Sequence, residues 1–258
     1  MNKRGFKIAD KMHELIKHGK KAFIPYIMPG DPNFEETAKR LKILHETGAD
    51  IIELGIPFSD PLADGPTIQR AAERALKSGT TLRKTLQFLM DFKEKIDIIL
   101  MTYLNPVFRY GIERFFKDAK EAQVGGVIFP DLPVEESKEY IYLAKKNGID
   151  IIFLVAPTST PNRIKKIVKA STGFVYYVSI TGITGSLLKL DREFTQHIEF
   201  VRSFGKPVCV GFGISTPEDA KYISQYGDGV IVGSAIVKSF HEKPNIVYNF
   251  IKSLREAI

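Results

Sequence analysis

Short apolar runs recur along the chain, each set after a stretch of helical periodicity and before a loop of Gly, Pro, Ser or Thr. They fall at residues 23–27, 50–54, 98–101, 126–129, 151–154, 174–178, 208–211 and 229–232. Each is apolar on both faces, as parallel strands covered on both sides must be. The intervening stretches carry a helical period: Ala38, Leu41 and Leu44 share one face, while Lys39, Arg40 and Lys42 are expected to point away. Gly19, Gly48, Gly125, Gly148, Gly173, Gly205 and Gly227 stand just before seven of the runs, where a helix C-cap sits. Asp31-Pro32, Thr160-Pro161 and Thr216-Pro217 each read as an N-cap followed by proline in the first helical position.

Eight strand–helix units joined by right-handed crossovers predict an α/β fold, a single (β/α)8 TIM barrel over residues 1–258. An open doubly wound sheet is the alternative. Residues 1–19 read as an extra N-terminal helix closing the bottom of the barrel. Added helices are expected after strand 2, over residues 80–94, and after strand 8, opened by Gly233-Ser-Ala-Ile236.

Composition narrows the setting. A chain of 258 residues with 44% hydrophobic content can bury a full core. No apolar run approaches the ~18 residues of a membrane span. The charged start, Met1-Asn-Lys-Arg-Gly-Phe-Lys, lacks the apolar core of a signal peptide, so a cytoplasmic protein with no membrane partner is expected. The single cysteine, Cys209, rules out an intrachain disulfide framework and reads as a small core residue. A net charge of +7 admits an anionic partner. The basic runs Lys17-His-Gly-Lys-Lys21 and Arg163-Ile-Lys-Lys-Ile-Val-Lys169, however, are interrupted at helical spacing and read as solvated helix faces, not nucleic-acid contacts.

Candidate chemistry concentrates in Glu53-Leu-Gly-Ile-Pro-Phe-Ser-Asp-Pro-Leu-Ala-Asp-Gly-Pro66, which sets one carboxylate inside an apolar strand and a second, Asp64, in a Gly/Pro-punctuated loop. Period-two alternation puts Ile51 and Glu53 on one strand face and Ile52 and Leu54 on the other. Burial raises a carboxyl pKa, so Glu53 is placed as a tuned acid/base. In such a barrel, chemistry lies at the C-terminal strand ends and phosphate often binds after strands 7 and 8. Gly211-Phe-Gly-Ile-Ser-Thr-Pro217 and Gly233-Ser-Ala-Ile236 occupy those places, and Thr181-Gly-Ile-Thr-Gly-Ser186 forms a third glycine loop after strand 6. Glycines let backbone N–H groups approach an anion, and a helix N-terminus adds its dipole. The five histidines, His13, His18, His45, His197 and His241, fall in predicted helices. No Lys ends a strand and no His/Asp/Glu group has metal-ligand spacing, which disfavours Schiff-base and metal-assisted chemistry. Carboxylate acid/base catalysis on a phosphorylated substrate, without a cofactor, is what these residues leave.

With these motifs the chain resembles the tryptophan synthase α-subunit family over nearly its whole length, in Phe23-Ile-Pro-Tyr-Ile-Met-Pro-Gly-Asp-Pro32, residues 53–66, Tyr103-Leu-Asn-Pro106, Pro130-Asp-Leu-Pro-Val-Glu-Glu136, residues 181–185, 211–215 and 233–238. The resemblance implies a lyase that cleaves indole-3-glycerol phosphate reversibly to indole and glyceraldehyde 3-phosphate. It implies catalytic roles for Glu53 and Asp64. It further implies phosphate held around Gly185, Phe212, Gly213, Gly233 and Ser234, and indole lying among Tyr26, Met101, Tyr176 and Phe212, with Tyr103 nearby. Thr184 matches the family's threonine that helps close the site, in a loop over residues 182–190 expected to act as a lid. The partner implied is a pyridoxal-phosphate β subunit in an αββα tetramer, facing the loops of residues 57–64 and 105–108. Ile180, Tyr26, Pro130 and Met101 stand where well-known members carry arginine, phenylalanine, alanine and leucine. Two rival readings are another phosphate-binding barrel enzyme and a non-catalytic subunit that only activates a partner; the intact Glu53, Asp64 and glycine loops argue against the second.

Overall fold

Eight parallel strands close into a barrel in the order of the chain. They are β1 (Ala22–Ile27), β2 (Ile52–Gly55), β3 (Ile98–Met101), β4 (Val124–Ile128), β5 (Asp150–Val155), β6 (Val175–Val178), β7 (Val208–Gly211) and β8 (Gly229–Val232). The computed structural model describes residues 8–178, 192–211 and 213–258. Closure is made by β1 against β8, with Ala22 opposite Gly229 and Pro25 opposite Val232. That pairing excludes the doubly wound alternative, whose sheet has two free edges.

The helices are α1 (Ile8–Lys17), α2 (Phe34–Glu46), α3 (Pro66–Lys77), α4 (Leu82–Asp91), α5 (Leu104–Tyr110), α6 (Ile112–Glu121), α7 (Lys138–Asn147), α8 (Pro161–Ala170), α9 (Arg192–Arg202), α10 (Pro217–Ser224), α11 (Ser234–Glu242) and α12 (Val247–Glu256). Two helices follow β2 and two follow β8, as expected; a second helix after β3 was not foreseen. Among the described residues no helix is long and apolar enough to cross a membrane.

Alternation along the strands divides the core into two layers. Phe23, Ile52, Leu54, Leu100, Val127 and Val210 join the layer packed beneath the helices. Ile24, Ile51, Ile99, Ile128, Ile152, Cys209 and Ile231 fill the barrel itself, so Cys209 is the small core residue anticipated. The bottom is plugged by α1, whose Ile8, Met12 and Leu15 are buried. Ile8 reaches Gly126, where an added Cβ would stand 3.0 Å from its Cγ1 and 3.1 Å from Ile99 Cγ2. The Ala9 N–H fastens the helix by donating to Asp150 Oδ2 at 2.9 Å.

Side-chain caps mark the starts of α2, α4, α8 and α10. Thr160 and Thr216 cap α8 and α10 with Pro in the first turn, and Asp219 completes a capping box with Thr216. Asp31 departs from expectation. The α2 cap is Asn33, whose side chain accepts from the Glu36 N–H at 2.8 Å. Asp31 is instead fully buried, taking both Arg74 bonds at 2.6 and 2.8 Å, with Arg40 at 3.6 Å. Arg40 therefore turns inward rather than away, and its guanidinium also lies over the Phe240 ring at 5.1 Å. A planar fork can bury where an ammonium cannot, because it bonds a carboxylate and stacks on a ring at once.

The glycine caps divide similarly. Gly19, Gly48, Gly148 and Gly205 take positive φ after their helices. Gly125 lies inside β4, and its expected capping place is taken by Ala122 with Gln123 at φ 59°. Gly173 follows a helix capped by Ser171, and Gly227 one capped by Gln225, so neither is a cap.

Candidate active site

Strand β2 delivers the first carboxyl. Its register sets Glu53 beside Tyr26 of β1 and Ile99 of β3. Ile51 faces the barrel interior, and so does Glu53, two residues on. The side chain is 1% exposed, and Oε2 has no hydrogen-bond partner among the described residues. Burial, with a further push from the Asp64 charge, raises the Glu53 carboxyl from 4.5 to about 8. The group is therefore a neutral acid at physiological pH with a conjugate base within reach.

Asp64 lies in the loop between β2 and α3, half-buried at the barrel mouth. Burial raises its pKa, and hydrogen bonding from the Tyr103 hydroxyl offsets part of that rise. Tyr103 fixes this loop a second time by accepting the Ala63 N–H at 2.9 Å, and its ring lies 5.3 Å from that of Phe58. The Tyr103 phenol is itself pushed up to about 12 by burial, so it remains a donor. The α5 N-terminus that follows Tyr103 is anchored by Asp131, whose two oxygens both lie 3.0 Å from the Leu104 nitrogen. Asp131 was quoted in a motif without a role; nothing local in the sequence marks it as a cap for a helix 27 residues earlier.

Two tyrosines complete the mouth. Tyr26 and Tyr176 lie in the inward layer with Met101, all almost fully buried. Each tyrosine needs a glycine on a neighbouring strand: a Cβ on Gly55 would overlap the Tyr26 hydroxyl, and one on Gly211 the Tyr176 hydroxyl. Both phenols are raised well above 10 by burial, and both feel the charges of Glu53 and Asp64. Glu53, Asp64, Tyr26, Tyr103 and Tyr176 thus surround one space at the C-terminal strand ends.

At the same strand ends, Gly213 follows β7 with φ 77°, and Gly233, close beside Tyr26, is the N-cap of α11, which begins at Ser234. The first N–H groups of α11 have no intrahelical partners and stand where an anion is favoured. Thr184, Gly185, Phe212 and the loop over residues 182–190 lie outside the described residues.

The histidines take no part in this mouth. His13, His45, His197 and His241 sit in α1, α2, α9 and α11, and His18 lies one residue beyond α1. His197 is held by the Tyr177 hydroxyl at 2.9 Å and the Ser159 carbonyl at 3.2 Å. Lys21 spends its ammonium on the Gly227 carbonyl at 2.8 Å, on the opposite rim. Among the described residues no three His, Cys, Asp or Glu side chains gather as a metal site would need.

Comparison with known proteins gives a consistent result. The family model for the tryptophan synthase alpha chain matches residues 12–257. The tryptophan synthase alpha chain of Geobacter sulfurreducens is 45% identical over 260 residues, covering 98% of each chain. That of Methanocaldococcus jannaschii is 48% identical over 236 residues, covering 90% of this chain and 84% of the relative. Among solved structures, the aminoacrylate-bound tryptophan synthase of M. tuberculosis superposes with a TM-score of 0.88 at 35% identity, over 97% of this chain and 98% of that one. The alpha subunit from Legionella pneumophila superposes with a TM-score of 0.88 at 37% identity, over 97% of each.

Proposed function

The chain belongs to the tryptophan synthase alpha-chain family, a family of lyases of tryptophan biosynthesis, and on that premise we propose that Glu53 and Asp64 carry its alpha reaction. The substrate is indole-3-glycerol phosphate. Indole is a poor leaving carbanion, so carbon 3 must gain a proton before its bond to the glycerol chain breaks. Neutral Glu53 gives that proton, forming an indolenine cation. Asp64 accepts the hydrogen bond of the ring N–H and stabilises the positive charge. The Glu53 carboxylate then takes the proton of the glycerol hydroxyl. As that oxygen becomes a carbonyl, the carbon–carbon bond breaks and its electrons restore the indole ring. One proton goes round, and Glu53 ends as it began.

Tyr26, Met101 and Tyr176 wall the indole, with Tyr103 holding Asp64 in place. The phosphate lies over Gly213, Gly233 and Ser234, where glycine leaves the backbone N–H groups uncovered. Thr184, Gly185 and Phe212 are assigned to the same site by the family resemblance. A tryptophan synthase beta subunit is the partner, docking over the loops of residues 57–64 and 105–108, where Leu62 and Phe108 are 89% and 73% exposed.

The observation that carries this reading is the buried, unpaired Glu53 carboxyl held protonated beside Asp64. Glu53→Gln removes the acid while keeping its shape, and Asp64→Asn removes the counter-charge. Each is expected to lower the rate of indole release by several hundred-fold, about 3–4 kcal/mol of barrier. Near-normal turnover in Glu53→Gln would overturn the assignment.

A further inference from the structure

Glu53 is neutral before it acts and charged afterwards, and the second state needs a hydrogen-bond donor that no described residue yet supplies to Oε2. The titratable groups facing it are Asp64 from the β2–α3 loop, Tyr26 from β1 and Tyr176 from β6. Asp64 is an acceptor of like charge. Tyr176 sets its hydroxyl over Gly211 on β7, the strand next to its own, rather than over β2. Tyr103 already gives its proton to Asp64, while its oxygen accepts the Ala63 N–H.

Tyr26 differs from these. It is the register partner of Glu53, and its ring leans across β2 until the hydroxyl meets Gly55, two residues beyond Glu53 on the same inward face. Same-face neighbours on a strand are about 7 Å apart, which sets the hydroxyl over the space into which a glutamate side chain extends. The absence of a side chain at Gly55 is what admits the ring. Among the described residues no hydrogen bond reaches this hydroxyl, in a residue only 6% exposed, and a phenol O–H so placed ordinarily finds a partner.

We infer that Tyr26 is a positioning residue for Glu53, its hydroxyl donating to the carboxylate once the proton has passed to the substrate. The ring serves as pocket wall; the hydroxyl has this second task. The inference rests on the role given to Glu53 above.

Tyr26→Phe keeps the wall and removes only the donor. It is expected to lower kcat about tenfold while KM for indole-3-glycerol phosphate stays within about twofold. Losing a donor to the charged form raises a carboxyl pKa, so the high-pH limb of kcat should move up by about one pH unit. Infrared titration of the Glu53 carboxyl, identified as the band absent from Glu53→Gln, should move in the same direction in the substrate-free protein. An unmoved limb and an unmoved titration overturn the inference, even where kcat falls, because a structural role alone would leave both where they are. Retained turnover in Glu53→Gln is a separate failure, that of the Glu53 assignment itself.

Discussion

Glu53 holds its proton to about pH 8 because it is buried from bulk solvent and the charge acting on it, that of Asp64, is of like sign, and this makes folding depend on pH. Below the ordinary value of 4.5 the group is neutral in folded and unfolded chains alike, and nothing is lost. Between 4.5 and about 8 the unfolded chain releases the proton while the folded chain keeps it, so stability falls as pH rises through that window. Glu53→Gln never ionises and should therefore gain on the wild type across it, by on the order of a few kcal/mol above pH 8. Urea denaturation of both proteins at about pH 4, 6 and 9 measures this; a gap that does not widen with pH would refute it. Glu53 was legible in the sequence because a carboxylate in an apolar strand breaks its own pattern. Asp131 was not, because its partner Leu104 is brought to it only by the neighbouring positions of β3 and β4.

Among the elements, strands were easier to read than helix ends. A buried parallel strand is marked by an unbroken apolar run, and all eight runs overlap observed strands. Caps depend on one side chain reaching one N–H, and sequence offers several candidates. Asp31 resembles an N-cap, yet two arginines from α2 and α3 compete for it and outweigh a single backbone bond. The α1 plug was expected in place and function, and it makes a testable element. Ile8→Ala would leave a cavity against Gly126 and Gly173, costing about 2–4 kcal/mol. Because α1 lies at the end of the barrel opposite Glu53, kcat at a permissive temperature should be unchanged. A fall in kcat with stability intact would show that the two ends are coupled.

At the scale of the whole molecule, the mouth that holds Glu53 and Asp64 and the exposed Leu62 and Phe108 share the C-terminal end of the barrel. A partner seated there would cover both. Phe108→Asp is expected to weaken association with a tryptophan synthase beta subunit at least about tenfold, by placing a charge where an aromatic ring is buried. Indole release by the isolated variant should match the wild type, and an unchanged titration with the beta subunit would move the interface elsewhere. The amino-acid pattern by itself determined the eight strands, the barrel, the two carboxylates and the glycine turns after β7 and β8, since each leaves a local mark: an apolar run, a misplaced charge, a residue without a side chain. Tertiary structure alone decided how far burial lifts the Glu53 pKa, that Tyr103 and Asp131 brace Asp64 in turn, and that Gly55 opens room for Tyr26. Those facts depend on distances between strands and loops far apart in the chain, and such distances exist only once the barrel has closed.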